Sequence, residues 1–262
     1  MSSDPDGGTV SGAAHHEIER SDGIAILRMA KPPANAVEPS FLDGLHDALR
    51  ELASDPPDAL VFTGSGKFFS GGLDLKVVPT LTRDEQRAML DRINGLGRPL
   101  FGFPRPVVSA VNGHAIAAGF VLALAGDYRV ASLEGRYGLT EVKAGMSYPA
   151  GALAAVQAEL PPPSARRLVL QSELVDAETA LSLGAFDEVV EPDGVLPRAV
   201  EIAVRLAAHP SEAYARSKLA LRAAMFASVE KITENGDPLS GTGIVDESTD
   251  PARKILGARP AS

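Results

Sequence analysis

The chain has 262 residues, enough for one large domain with a substantial core. Its 25 Lys+Arg against 34 Asp+Glu give a net charge of −9, which argues against a nucleic-acid partner. The absence of cysteine excludes disulfide scaffolds, thiolate metal sites and cysteine nucleophiles, and the lack of tryptophan disfavours base-stacking platforms.

Residues 1–16 are rich in Ser, Gly and Asp and read as a disordered tail. No apolar run follows a basic start, so the segment is no secretory signal. His15 and His16 are expected to be solvent-exposed rather than metal-bound, because a ligand set needs convergent spacing. Ile18–Arg28 reads as a hairpin around Ser21-Asp22-Gly23. Two prolines forbid a helix over Lys31–Ala36 (KPPANA). Ser40 then caps a helical pattern of Phe41, Leu45, Leu49 and Leu52, which Asp55-Pro56-Pro57 ends.

Ala59–Thr63 (ALVFT) is a buried strand followed by a Gly64-Ser65-Gly66 turn, and a helix covers Arg83–Leu96. Pro106–Ala125 is long enough to span a bilayer, but Asn112-Gly113-His114 breaks it in the middle. A buried strand, a turn and a buried helix fit better than a membrane span. Strands follow at Asp127–Ala131 and Phe186–Val190. Pro161–Pro163 separates two helices, a further helix covers Ala177–Leu183, and Leu196–Ile232 is helical. Thr233–Ser262 reads as irregular. Strand–turn–helix units with glycine in each turn indicate α/β organisation ahead of a helical tail. No phosphate-binding loop, HExxH, GxSxG or GxGxxG is present.

Three features carry chemistry. Ser70-Gly71-Gly72-Leu73-Asp74 and Ala115-Ile116-Ala117-Ala118-Gly119 are small-residue turns, the second entering a helix. Such turns are either plain connections or places where unpaired N–H groups meet a ligand oxygen. Glu141 is the sole acidic residue between Gly135 and Glu159, in an apolar setting. It is either an ion-pair partner of Lys143, a surface glutamate, or a desolvated general base. His114, just ahead of the second turn, is a rival base by its ordinary pKa.

Together PPANA, GSGKFFSGGLDLK, PVVSAVNGHAIAAGFVLALAGDYRVAS, YGLTEVKAGM and ETALSLGAFDEVV resemble the crotonase family, the enoyl-CoA hydratase/isomerase superfamily, in family order and spacing. The resemblance implies an α/β spiral of repeated ββα units over residues 17–195. Residues 196–262 then form a C-terminal helical region, with a tail, that builds a homotrimer or a dimer of trimers. It also implies that the amides of Leu73 and Ala118 bind an acyl thioester oxygen and that Glu141 moves protons. Ala34 and Ala36 would line the adenine pocket of coenzyme A. Gly71, Gly72, Leu75, Gly119 and Thr140 join the substrate contacts. Lys67 meets CoA phosphates or is a solvated lysine. Asp74 occurs with these contacts, although a helix-capping role is preferred for it. Ser147 and Tyr148 lie just beyond Glu141, beside the acyl pocket, and Lys218 either reaches a neighbour's CoA or lies on a solvated helix face.

The family's hydratases use two glutamates, and Val121 stands where the first would be, while Glu141 matches the second. The resemblance is therefore to the single-glutamate 3,2-enoyl-CoA isomerases. The implied reaction moves a double bond from position 3 to position 2 of an acyl-CoA, in the cytoplasm, with CoA as part of the substrate and neither metal nor redox cofactor. A hydratase or other crotonase-type lyase, and a non-catalytic acyl-CoA-binding protein, are the alternatives.

Overall fold

The structure is a computed structural model that describes residues 9–13 and 15–237. Strands β1 (Thr9–Ala13) and β2 (His16–Ser21) pair antiparallel, and β2 turns through Asp22-Gly23 into β3 (Ile24–Met29). This corrects the expected tail, of which residues 1–8 and 14 lie outside the described residues. Backbone pairing, which asks little of side-chain composition, extends the hairpin by a strand. His16 is consequently buried, with its ring 4.7 Å from that of Phe41, instead of solvent-exposed.

Helix α1 (Pro39–Ser54) starts one residue before the expected Ser40 cap. Pro39 has no N–H to satisfy in the first turn, and the Ser40 hydroxyl donates to Glu38 Oε1 at 3.0 Å instead of capping. Three two-strand units follow. In the first, β4 (Ala59–Thr63) leads to β5 (Phe68–Ser70) and α2 (Arg83–Gly95). In the second, β6 (Val107–Val111) leads to β7 (His114–Ile116) and α3 (Ala118–Ala123). In the third, β8 (Tyr128–Ser132) leads to β9 (Tyr137–Gly138) and α4 (Ala150–Glu159). Helices α5 (Pro162–Gln171) and α6 (Ala177–Ser182) precede β10 (Glu188–Val190). Helices α7 (Val195–Ala207), α8 (Ser211–Leu221) and α9 (Ala223–Asn235) complete the described chain, so helix continues three residues beyond the expected Ile232.

The units sort their strands into two sheets. A seven-stranded sheet runs β1-β2-β3-β4-β6-β8-β10, parallel from β3 onward, and a three-stranded parallel sheet runs β5-β7-β9. The large sheet is covered on both faces, which is why ALVFT and VVSAV read as unbroken apolar runs. Alternate residues go to opposite sides. Ala59, Val61, Val108, Ala110 and Val130 meet Val195, Ala199 and Ile202 of α7. Leu60, Phe62, Val107 and Val111 enter the main core with α1.

Because β5, β7 and β9 are adjacent and parallel, the segments leaving them emerge side by side. Those segments carry Leu73, Ala118 and Glu141. The C-terminal edge of a parallel sheet is where open α/β folds place ligands.

Candidate functional site

Close backbone contact joins the two glycine turns. Gly72 has φ +83°, and a Cβ there would lie 2.8 Å from the Ile116 carbonyl oxygen and 3.4 Å from the Ala118 nitrogen. A Cβ on Gly119 would collide with the Ser70 carbonyl. Glycine is required at both positions for the loops to touch. Ala117, without that freedom, holds φ +54° and ψ −126°. This sparsely populated conformation costs about 1–3 kcal/mol and is pinned by the bond from Ala117 N to the Gly138 oxygen at 2.8 Å. The turn aims the first amide of α3 outward. Among the described residues, neither the Leu73 nor the Ala118 N–H donates to a protein acceptor, and both residues line one cavity.

Asn35, which the sequence reading passed over inside PPANA, holds this arrangement together. It is fully buried in the left-handed conformation, φ +47°, which asparagine tolerates. Its Nδ2 donates to the carbonyls of Ser65, Phe68 and Phe69 at 3.1, 2.9 and 3.1 Å, and its Oδ1 accepts from Lys31 N at 2.9 Å. The Ser70 hydroxyl donates to the Asn35 carbonyl at 2.8 Å, and Gly71 N donates to the Ala34 carbonyl at 2.8 Å. The PPANA turn is thus bolted to the segment that presents Leu73.

The cavity is partly enclosed and opens to solvent at its mouth. Its walls come from Leu90 and Ile93 of α2, Val121 and Leu122 of α3, Ala152 and Ala155 of α4, and Met225 and Val229 of α9. Among the described residues that line it, Glu141 is the sole ionisable one. Its side chain is 6% exposed, and Oε2 has no hydrogen-bond partner. Burial pushes its carboxyl up to about 7, and the Tyr148 hydroxyl and nearby main-chain amides offset only part of that rise. No ion pair forms with Lys143, which is exposed, so the ion-pair reading of Glu141 is set aside. A carboxyl that titrates near neutrality, beside two unpaired N–H donors in an apolar cavity, suits proton transfer next to a carbonyl.

Of the other expected residues, Ser147 lines the cavity, while Ala34, Ala36, Lys67, Gly71, Gly72, Asp74, Leu75, Gly119, Thr140 and Tyr148 do not. Ala34 and Ala36 flank it on the Asn35 turn. Lys67 is exposed, and its carbonyl accepts from His114 N at 3.1 Å. Asp74 does not cap a helix of the chain's regular set. It accepts from Lys76 N at 3.0 Å and pairs with Lys31 Nζ at 2.9 Å. Burial alone would raise the Asp74 carboxyl, but the Lys31 bond and the amides of Lys76 and Val77 hold it below its ordinary value. Leu75 and Thr140 are half-buried behind the turns, where Thr140 accepts from Ala144 N. His114 is no rival base: its Nδ1 accepts from Arg136 N at 2.9 Å, and burial, then the charges of Arg136 and Lys67, lower its pKa.

Lys218 corrects both of its readings. It is 5% exposed and neither free to reach a neighbour nor on a solvated face. Its ammonium meets the carbonyls of Phe103 and Arg105 at 3.0 and 2.6 Å and Asp127 Oδ2 at 2.6 Å. Arg222 joins Asp127 Oδ1 at 3.0 Å and Glu159 Oε1 at 2.6 Å, and Arg129 takes Glu159 Oε2 at 2.9 Å. This network fixes α8 and α9, and with them Met225 and Val229 of the cavity wall.

Residues 19–237 match the sequence profile described as enoyl-CoA hydratase/isomerase. The chain belongs to the enoyl-CoA hydratase/isomerase family. It is 34% identical over 204 residues to "Probable enoyl-CoA hydratase echA17" of Mycobacterium avium (strain 104), covering 76% of this chain and 78% of that protein. It is 30% identical over 198 residues to the peroxisomal enoyl-CoA delta isomerase 1 of Arabidopsis thaliana, covering 72% and 79%. The apo structure of the Mtb enoyl-CoA isomerase is similar with TM-score 0.78 and 34% identity, covering 85% of this chain and 99% of that one. The expected crotonase fold is therefore found, and an acyl-CoA thioester substrate is consistent with the family. The two sequence relatives carry different activities in their names, one a hydratase and one an isomerase. No helix among the described residues is long and apolar enough to cross a membrane.

Proposed function

We propose that this family member is an enoyl-CoA isomerase that moves a double bond from position 3 to position 2. The observation that carries this reading is that, among the described residues, Glu141 is the single carboxylate lining the cavity, with Val121 on the wall where a second would act. Hydration wants one group to orient water and another to manage the C2 proton, and valine does neither. Migration of the double bond needs one group that takes a proton and returns it.

In this mechanism the thioester oxygen sits between the Leu73 and Ala118 amides. The Glu141 carboxylate removes a proton from C2, and the electron pair spreads over a dienolate whose oxygen the two N–H groups stabilise. An oxyanion donor of this kind contributes about 3–4 kcal/mol. The protonated Glu141 then delivers the same proton to C4, which leaves the double bond between C2 and C3. The apolar walls exclude water that would compete for the intermediate. By the same family resemblance, α7–α9 carry the assembly into a homotrimer or a dimer of trimers, and the protein works in the cytoplasm.

The test is a spectroscopic assay with a 3-enoyl-CoA and a 2-enoyl-CoA offered separately. Conversion of the first to the second is expected, with no water added to either. Hydration without migration assigns the chain to the hydratases, and tight CoA-ester binding without turnover makes it a silent binder. On the isomerase reading, Gly72→Ala lowers kcat about 100-fold, because a shift near 1 Å in reacting geometry has that scale of effect. A kinetic comparison showing unchanged kcat in that variant removes the two-amide grip from the mechanism.

A further inference from the structure

Tyr148 is 5% exposed and its hydroxyl is buried without a hydrogen-bond partner, as is Oε2 of Glu141. The two groups lie beside each other, close enough to interact but without the alignment of a hydrogen bond. Buried polar atoms are rarely left unpaired, and two neighbouring ones in a single site call for a functional explanation. The remaining neighbours of the carboxyl offer none. Val121, Leu122, Met146 and Ala118 are apolar, Ser147 and Asn94 are neutral, and Asn94 is committed to Gly151 N and Asp237. Lys143 on the same loop is exposed, and among the described residues Tyr148 is the only titratable side chain acting on Glu141.

We propose that Tyr148 is a positioning residue whose hydroxyl donates to Oε2 of Glu141 when that carboxylate is ionised, leaving Oε1 as the one oxygen that exchanges protons with the substrate. The inference rests on the isomerase reading for its consequence in turnover, but the pairing itself does not. Burial first, and the adjacent Glu141 charge second, hold the phenol well above its ordinary pKa, so Tyr148 stays protonated and can only donate. A carboxylate with one oxygen tethered swings less between C2 and C4, and a proton returned from a fixed oxygen stays on one face of the acyl chain. When Glu141 is protonated, the tether is lost.

The experiment is Tyr148→Phe, which keeps the ring and removes the hydroxyl. Because the hydroxyl is unpaired in the resting protein, the variant is expected to melt no lower than the parent. The carboxyl of Glu141, followed by 13C NMR titration of the free protein and assigned with Glu141→Gln, is expected to titrate at least one pH unit higher, a tenfold change in its ionisation. The acid limb of kcat/KM for a 3-enoyl-CoA moves up by the same amount while KM stays within twofold. Site-specific 3,5-difluorotyrosine at position 148, a stronger donor, moves the titration and the acid limb down together and serves if the phenylalanine variant fails to fold. An unmoved NMR titration in either variant overturns the proposal. A shifted titration in a protein that does not isomerise keeps the pairing and overturns the isomerase reading instead.

Discussion

Replacing Glu141 by glutamine is expected to lower 3-enoyl-CoA isomerisation at least ~100-fold, the low end for loss of an acid–base group. That factor corresponds to about 2.7 kcal/mol of barrier. The amides of Leu73 and Ala118 remain, so KM for the thioester changes little, and the loss appears in kcat. In the parent protein the carboxyl titrates at about 7, so kcat/KM rises with pH up to that region and levels above it. Stability moves the opposite way. The folded state holds a proton on Glu141 between the unfolded value of 4.5 and about 7, so the folded form binds more protons than the unfolded form in that window. Stability therefore falls as pH rises through it and stays lowered above it, by about 3 kcal/mol in total. Glu141→Gln removes this cost and is expected to melt above the parent at pH 8 and close to it near pH 4.5. Near-parental turnover would remove Glu141 from the mechanism, and equal melting at both pH values would mean that its carboxyl is not desolvated.

The second large effect lies outside the cavity. Asp127 compensates Lys218 and Arg222 at once, and its Oδ2 also accepts from Val107 N at 2.9 Å and Tyr214 OH at 3.1 Å. Asp127→Ala strips the buried Lys218 of its counter-ion and leaves Arg222 with Glu159 alone, which costs about 3–5 kcal/mol. At this chain length that is a fall on the order of 10 °C in Tm. Melting at fixed protein concentration measures it, and a Tm within 2 °C of the parent would show that the network carries little stability. Since Lys218 and Arg222 hold α8 and α9 to the Phe101–Arg105 carbonyls, the same variant is expected to bind long acyl chains less tightly.

These effects differ in how far the sequence announced them. Glu141, Leu73 and Ala118 stood out because each sits in a short local pattern, a glycine turn behind a strand or a lone acid in an apolar run, but that pattern left plain alternatives open and only the family resemblance implied their roles. The strands over Ala59–Thr63 and Pro106–Val111 were legible because burial on both faces leaves unbroken apolar stretches. The Asp127 network joins partners up to 121 positions apart, and no local pattern reports which lysine on a helix will be swallowed. Lys218 therefore looked solvated. The cavity walls from α2 and α9 escaped for the same reason, since helix packing angles are settled by the whole core. His16 escaped because TVSGA, the strand that continues its hairpin, carries almost no apolar alternation. Asn35 gave one usable signal: an asparagine between two alanines after paired prolines is a natural left-handed turn residue.

On the proposed mechanism the grip on the thioester belongs to the peptide backbone, so it survives almost any exchange of side chain at positions 73 and 118. Proline alone would delete a donor outright. The groups that, on the same mechanism, decide what happens to the gripped substrate, at 121 and 141, are by contrast ordinary side chains, rewritten by a single codon. A scaffold divided in this way keeps activation constant while its selectivity of outcome drifts, which makes the identity of residue 121 more informative about the reaction than overall similarity.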